Sequence, residues 1–215
     1  MSRKIIVFAP HPDDETLGCG GTIAKKISEN YGVIIVVMTD GRFAFSSVLG
    51  MNSNPTPEEL KSIRKEEVTR AAAILGVPRK NLIFFDFVDG ELLQNKKEVE
   101  ERVGEILKKE LPTEIYFPYE KDLHVDHRAA NEIISDSAKR LSSSALRFRY
   151  SIKQKHGRLP LKDRLLNIFE HNLVAVNVTE FLPLKKAAIK EFKSQIVIAR
   201  KSYKFLKSKE VFYVE

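Results

Sequence analysis

The stretch Ile5–Glu15, IIVFAPHPDDE, decides the fold of this chain. Its first five residues are apolar and favour a short buried strand, and the rest crowds one imidazole and three carboxylates at the end of that strand. Adjacent carboxylates repel one another unless a cation or solvent screens them, and the neighbouring histidine suggests that the cation is a metal. An acidic turn that caps the next helix explains this stretch alone equally well. Residues further along the chain are needed to decide between a metal site and a helix cap.

Strand-like and helix-like segments alternate along the chain beyond this stretch. Helical spacing over 17–30 leads into the apolar run 33–38, which suits a strand buried on both faces. Further helices are predicted over 58–75, 99–111 and 130–141, and further strands over 82–85 and 114–117. This alternation predicts an α/β fold, a Rossmann-like and mostly parallel sheet with helices on both faces, and residues 1–215 are expected to form a single domain.

Composition narrows the class of protein. The 215 residues are 43% hydrophobic and 30% charged, which excludes a largely disordered chain, and no apolar run approaches the length of a membrane span. The single cysteine, Cys19, cannot form an internal disulfide, so we expect a reducing, cytoplasmic location. The net charge of +7 is not accompanied by aromatic residues interleaved with basic ones, so no nucleic-acid partner is expected.

Polar side chains follow each of the four predicted parallel strands. They are His11, Asp13 and Asp14 after the first strand, Asp40 after the second, Asp86 and Asp89 after the third, and His124, Asp126 and His127 after the fourth. Ligands of parallel α/β sheets bind beyond the carboxyl ends of the strands, which share one edge of the sheet. Scattered surface residues would have no reason to follow every strand, so we expect the whole set to form one site.

The two histidines after the fourth strand have a spacing that suits a shared ligand. His124 and His127 lie at the start of a predicted helix, about one turn apart, so both rings can face one centre. Taken alone, such a pair is more often a surface or core feature than a metal site. Together with His11 and Asp14 they become candidate zinc ligands, because a catalytic zinc takes three nitrogen or oxygen side chains and keeps one position for water.

Two separated segments of the chain carry a resemblance to a known family. Pro10–Glu15, with the sequence PHPDDE, and His124–His127, with the sequence HVDH, together resemble the two signature motifs of the PIG-L, or LmbE-like, family of zinc-dependent N-acetylglucosaminyl deacetylases. The resemblance covers residues 4–130 and, more loosely, residues 173–200. It agrees with the α/β fold expected from the alternation of segments.

The resemblance implies a role for each residue of the two motifs. A metal would be held by His11, Asp14 and His127. Asp13 would be the general base, and His124 would either polarise the substrate carbonyl or protonate the leaving amine. Zn²⁺ is the expected ion, although Fe²⁺ and other divalent ions suit the same ligand set.

Five further residues are weaker candidates for the site. Asp126 would orient a histidine, and Glu15 would be a helix-start or supporting carboxylate. Arg64 and Asp89 are candidates for binding sugar hydroxyls, as is Asp40, and Arg64 also for binding the acetate product. A pair between Arg64 and Glu67 on one helix face explains the arginine equally well, and Asp89 next to Gly90 also suits a simple turn.

Three segments are harder to interpret. The run 42–57 has no clear periodicity and is expected to be a flap over the site, and residues 147–172 are treated as a variable insertion that faces the substrate. An apolar stripe over 182–199 predicts a terminal helix. The run 211–214 suits an edge strand or a contact between copies of the chain, which leaves a homo-oligomer open.

The function predicted from these observations is hydrolysis of an amide: a small N-acetylglucosamine-type sugar, or its conjugate, would lose its acetyl group to a metal-activated water. A metal-dependent amidase acting on a non-sugar amide is one alternative. The other is a nucleotide-binding module without hydrolytic activity, since Gly18, Gly20 and Gly21 follow the first strand. Their spacing does not fit a dinucleotide-binding loop, and an acidic loop would repel a pyrophosphate, so close backbone packing explains these glycines better.

Overall fold

The structure is a computed structural model that describes residues 3–44, 55–152, 172–195 and 204–214. Within these ranges the chain forms a seven-stranded sheet and five helices. The strands are β1 (Lys4–Ala9), β2 (Gly32–Thr39), β3 (Leu82–Phe87), β4 (Glu114–Pro118), β5 (Leu146–Tyr150), β6 (Asn172–Asn177) and β7 (Lys209–Val214). The helices are α1 (Asp14–Ser28), α2 (Pro57–Ile74), α3 (Lys96–Glu110), α4 (Val125–Arg140) and α5 (Leu182–Ile189).

The sheet is mostly parallel, as predicted. The strand order is β3-β2-β1-β4-β5-β7-β6, and the first five of these strands run parallel to their neighbours. Only β7 is antiparallel, to β5 on one side and to β6 on the other. The chain builds outward from β1 to β3 and then returns to the opposite side of β1 with β4, so a crevice opens between the carboxyl ends of β1 and β4.

Helices cover both faces of the sheet, which confirms the predicted α/β architecture. Alternate residues of the central strand point to opposite faces, so that Ile5 and Ile6 belong to two different apolar cores. The core around Ile5 is completed by α1, α2 and α5, and the core around Ile6 by α3 and α4. No helix in the described ranges is long and apolar enough to cross a membrane.

The start of the segment treated as an insertion belongs to the sheet. Residues 146–150 form β5, which pairs in parallel with β4 along its whole length. Tyr150 at its end is buried, and its hydroxyl donates to the carbonyl of Phe8 at 2.7 Å. The strand alternates charged with aromatic residues, LRFRY, and so lacks the continuous apolar run of the other parallel strands. Residues 153–171 and the centre of the expected flap, residues 45–54, lie outside the described residues.

The terminal part of the chain differs from the prediction in two ways. Of the predicted helix over 182–199, the described part is α-helical only as far as Ile189, and residues 196–199 lie outside the described residues. Beyond Ile189, Ser194 donates to the carboxylate of Glu67 from its backbone at 2.7 Å and from its hydroxyl at 2.6 Å. The run 211–214 is not an edge strand, since β7 lies between β5 and β6. Its Phe212 is fully buried against the rings of Tyr116 and Phe148.

The glycines after β1 serve close packing of α1. A Cβ atom on Gly18 would lie 2.5 Å from Cδ2 of Tyr150, and one on Gly21 would lie 2.6 Å from Cβ of Val178. The same helix is held by the buried ion pair of Lys185 and Glu210. Lys185 donates to the carbonyl of Leu17 at 2.8 Å, and Glu210 accepts the backbone N–H of Gly21 at 2.9 Å. Helix α1 is therefore held against β5 and the terminal strands, and its first turn carries Asp14 into the crevice.

Candidate metal centre

The loop after β1 and the start of α4 meet at the crevice between β1 and β4. In the first loop, the carbonyl of His11 accepts the N–H groups of Asp13 at 2.9 Å and of Asp14 at 3.2 Å. This tight turn places Asp13 at φ 155° and ψ −25°, a conformation that residues other than glycine rarely adopt. Such strain is typical of functional sites, where the surrounding structure holds it in place. The turn brings the His11 ring and the two carboxylates to the same side of the loop.

Three side-chain atoms form a small triangle at the centre of this crevice. His11 Nδ1 lies 3.1 Å from Asp14 Oδ2 and 3.2 Å from His127 Nε2, and the last two atoms lie 3.0 Å apart. Three atoms that each bind a tetrahedral zinc at about 2.0–2.1 Å would be separated by about 3.3–3.4 Å. The triangle is slightly smaller than that, and its three residues are almost fully buried. These residues therefore fit one divalent cation.

The charges of the cluster also fit a cation. Burial disfavours the protonated form of His11, but contacts with Asp126 and Asp14 outweigh burial, and the pKa of the ring is raised well above its ordinary value. Burial likewise disfavours protonation of His127, but Asp14 raises its pKa to about 9. Burial would raise the pKa of Asp14, yet the two histidines lower it well below its usual range. The carboxylates therefore stabilise positive charge in the crevice. A divalent cation would provide that charge in place of the ring protons.

A carboxylate lies behind each of the two histidines of the triangle. Asp126 Oδ2 is 3.1 Å from Nε2 of His11, the ring nitrogen that points away from the triangle. Asp122 Oδ1 is 3.1 Å from Nδ1 of His127, again the nitrogen opposite the triangle. Asp126 therefore lies next to a histidine of the triangle. Asp122 was not predicted, and its only signal in the sequence is its place two residues before the second motif.

Asp13 lies beside the triangle and is held by Arg64. The guanidinium donates to Asp13 Oδ2 at 3.1 Å and to the carbonyls of Pro12 and Gly41, each at 2.9 Å. Arg64 is only 2% exposed, so it ties the loops after β1 and β2 together from within. Burial raises the pKa of Asp13 to about 6, and the charge of Arg64 opposes that rise. The alternative of an Arg64–Glu67 pair is not observed, and the carboxylate of Glu67 instead accepts from the hydroxyl of Ser194.

His124 lies at the mouth of the crevice and caps α4. Its Nδ1 accepts the backbone N–H of Asp126 at 3.2 Å, and its ring packs edge-on against His11 with the centroids 4.4 Å apart. Ring nitrogens of His11, His124 and His127 all lie within 4.8 Å of one another, so His124 borders the triangle. Because Nδ1 is an acceptor, the neutral ring carries its proton on Nε2. The side chain is 30% exposed and can meet a substrate.

Of the remaining predicted residues, one lies at the cluster and two lie away from it. Asp89 belongs to the cluster, with Oδ1 at 3.2 Å from Nε2 of His11. The Asp40 carboxylate is fully buried and accepts from Nε of Arg42 at 2.8 Å, so it holds a loop instead of facing the triangle. Asp86 was wrongly expected in the site: it lies within β3, on an exposed position, and pairs with Lys65 at 3.0 Å.

Glu15 lies beneath the turn and does not face the triangle. It is fully buried, and its carboxyl group accepts the N–H of Asp13 at 3.2 Å and the hydroxyl of Thr16 at 2.6 Å. Burial raises its pKa to about 8, with a further contribution from the charge of Asp13. Glu15 therefore carries a proton at neutral pH and supports the turn that positions Asp13.

In the metal-free protein we expect Glu15→Gln to raise the unfolding temperature at about pH 8 and to leave it unchanged at about pH 4. Near pH 4 the carboxyl is protonated in both states, but at higher pH the unfolded state releases its proton first, so stability is lost by up to a few kcal/mol as the pH approaches the folded-state pKa of about 8. Glutamine keeps an acceptor for Asp13 and does not ionise. Thermal unfolding measured across this pH range checks the expectation, and an equal gain at every pH would contradict it.

The chain is similar to several known proteins. The family model described as PIG-L, GlcNAc-PI de-N-acetylase, matches residues 6–138. A diacetylchitobiose deacetylase from Thermococcus kodakarensis is 35% identical over 133 residues, which are 60% of this chain and 46% of that protein, so the chain spans about half the length of that relative. A probable N-acetyl-alpha-D-glucosaminyl L-malate deacetylase from Bacillus cereus is 27% identical, over 82% of each protein.

A solved structure extends the likeness to nearly the whole chain. The N,N'-diacetylchitobiose deacetylase from Pyrococcus horikoshii, in complex with its inhibitor, superposes with a TM-score of 0.76 and 25% identity. The superposition covers 100% of this chain and 84% of the other. The segment of the family match, residues 6–138, contains every residue of the triangle as well as Asp13 and His124.

Proposed function

We propose, since the chain belongs to the PIG-L family, that it is a metal-dependent N-deacetylase that removes the acetyl group from an N-acetylglucosamine-type sugar or its conjugate. The observation that carries the proposal is the buried triangle of His11, Asp14 and His127 with the Asp13 carboxylate beside it. The relatives named as deacetylases of diacetylchitobiose and of an N-acetylglucosaminyl malate support the substrate class.

Zn²⁺ is the ion that we propose for the triangle. Two imidazole nitrogens and one carboxylate oxygen form a ligand set found in catalytic zinc sites. When bound, such an ion polarises the acetyl carbonyl and lowers the pKa of a water molecule to about 7. Fe²⁺ binds similar sets, so reconstitution with each ion in turn identifies the one that supports the highest activity.

Asp13 is the general base in this proposal. It lies next to the ligand Asp14 and is buried, so a proton taken from the attacking water would stay within the crevice. With a pKa of about 6 it is mostly ionised at neutral pH and able to accept that proton. The contact with Arg64 at 3.1 Å fixes one carboxylate oxygen and leaves the other for the water. We therefore assign Arg64 to the orientation of Asp13 and not to substrate binding.

His124 is proposed to stabilise the negative charge that develops on the carbonyl oxygen. Its Nδ1 is engaged by the backbone of α4, so the proton on Nε2 is the one available for a hydrogen bond to the substrate. The proton that the leaving amine needs is then returned by Asp13, which has taken it from the water. Asp89 remains the candidate for a sugar hydroxyl, because it alone among the three predicted substrate-binding residues lies at the cluster with its carboxylate against His11.

A substrate panel tests the proposal. Acetate and free amine are measured for N,N'-diacetylchitobiose, an N-acetylglucosaminyl malate and an N-acetyl amino acid, with the Asp13→Asn variant as the inactive control. We expect equal amounts of acetate and amine from at least one sugar compound, and at least about 10²-fold slower release by the variant. Release from the amino acid alone would favour a non-sugar amidase, and a nucleotide retained by a purified protein that hydrolyses no compound would favour the binding module.

A further inference from the structure

Two buried aspartates each contact one histidine of the triangle, at the ring nitrogen that points away from the triangle. Asp126 lies against Nε2 of His11 and accepts the backbone N–H groups of Gly90 at 2.7 Å and Leu92 at 3.2 Å. It therefore holds one histidine of the triangle and the loop that follows β3. The family motif HVDH contains this aspartate, so its place could be expected from the sequence.

Asp122 repeats the arrangement outside the motif. Its Oδ1 lies 3.1 Å from Nδ1 of His127, a charge contact that lacks the alignment of a hydrogen bond. The same oxygen accepts the backbone N–H of His124 at 3.1 Å, and Oδ2 accepts the N–H of Ile152 at 3.2 Å. The side chain is completely buried. One carboxylate thus contacts the second histidine of the triangle, the start of α4 and the chain just after β5.

We propose that Asp122 is a positioning residue that fixes the tautomer and the ring orientation of His127 and so sets the metal affinity of the centre. A carboxylate at Nδ1 favours a proton on that nitrogen and leaves Nε2 unprotonated for the ion. Through its contact with the His124 backbone, the same carboxylate places the residue proposed to contact the substrate carbonyl. The inference rests on the proposed function only for the presence of a cation.

The two aspartates predict opposite tautomers for the two histidines. His11 presents Nδ1 to the triangle and Nε2 to Asp126, so its proton lies on Nε2. His127 presents Nε2 to the triangle and Nδ1 to Asp122, so its proton lies on Nδ1. Long-range ¹H–¹⁵N spectra of the native, zinc-loaded protein distinguish these forms without any substitution. A His127 ring without a proton on Nδ1 would overturn the proposal.

The variant Asp122→Asn tests the effect on affinity. An asparagine replaces one of the two oxygens by an NH₂ group, so at least one of the donors from His127, His124 or Ile152 then faces another donor. Loss of a carboxylate behind a metal-bound histidine typically weakens metal binding by about 10–100-fold. Competition with a chromophoric chelator measures the zinc affinity, and Asp136→Asn, the same change at an exposed position of α4, is the matched control.

The outcomes separate this inference from the proposed function. We expect weaker zinc binding and a changed visible spectrum of the Co²⁺ form for Asp122→Asn, and native values for Asp136→Asn. Zinc affinity within about twofold of the native value in the folded Asp122→Asn variant would refute the role of Asp122, whatever the protein hydrolyses. If this variant does not fold, the tautomer of His127 in the native protein decides. Absence of acetate release would refute the proposed function and leave these metal-binding results unaffected.

Discussion

Asp13→Asn is expected to lower kcat for acetate release by about 10²–10⁴-fold and to leave the bound metal at one ion per chain. Asparagine has nearly the shape of aspartate and retains an oxygen for the contact with Arg64, which lies at 3.1 Å in the native protein. It cannot accept a proton from water at neutral pH, so the chemical step loses its base. Asp13 is also outside the triangle, so the substitution leaves the proposed ligands His11, Asp14 and His127 unchanged.

Steady-state kinetics with metal analysis of the same samples measures this effect. Asp86→Asn is a suitable control, because Asp86 is an exposed aspartate of β3 that pairs with Lys65 and lies away from the crevice. We expect the control to keep the native kcat. A decrease of less than about tenfold in Asp13→Asn, with the metal retained, would show that another group serves as the base.

His127→Ala is expected to release the metal and with it the activity. His127 supplies one of the three atoms of the triangle and is only 1% exposed. Because the position is buried, a solvent-exposed side chain cannot easily take its place at the ion. Removing His127 also takes one partner from each of the buried carboxylates of Asp14 and Asp122, so we expect a lower unfolding temperature as well. The loss of a Lewis acid that contributes several kcal/mol corresponds to a rate decrease of about 10³-fold or more.

The comparison with His124→Ala separates a ligand from a substrate contact. His124 borders the triangle, but its Nδ1 is engaged by the N–H of Asp126, so the variant should retain the metal and lose rate. Metal content after dialysis, measured beside kcat, distinguishes the two variants. Retention of a full equivalent of metal by His127→Ala, or its loss from His124→Ala, would reverse the roles assigned to these two histidines.

Much of this centre could be predicted because its residues are close in sequence or follow a strand. The apolar runs before His11 and in β2 are continuous, which is the pattern of buried parallel strands, and the position of His11 and Asp14 after β1 follows directly. Parallel topology then brings the ends of β1 and β4 together. The meeting of the two motifs, far apart in sequence, is a consequence of that topology.

The features that were missed depend on contacts that local patterns do not encode. Asp122 was overlooked because its contact with Ile152 exists only when β5 lies beside β4. The two arginines in β5 interrupt the apolar pattern from which that strand could have been predicted. The role of Arg64 depends on which side of α2 faces the loops after β1 and β2. Asp86 was misplaced because β3 continues to Phe87, which keeps the aspartate within the strand.

The metal dependence of the activity is measured by titrating the metal-free protein with Zn²⁺ while acetate release is followed on the best substrate of the panel. We expect no measurable activity at the start, an increase in proportion to added zinc, and saturation at one ion per chain. The triangle has room for one ion, and Asp13 and His124 are proposed to act on the carbonyl only in its presence. Full activity in the absence of any bound metal would show that the protein is not a metal-dependent deacetylase.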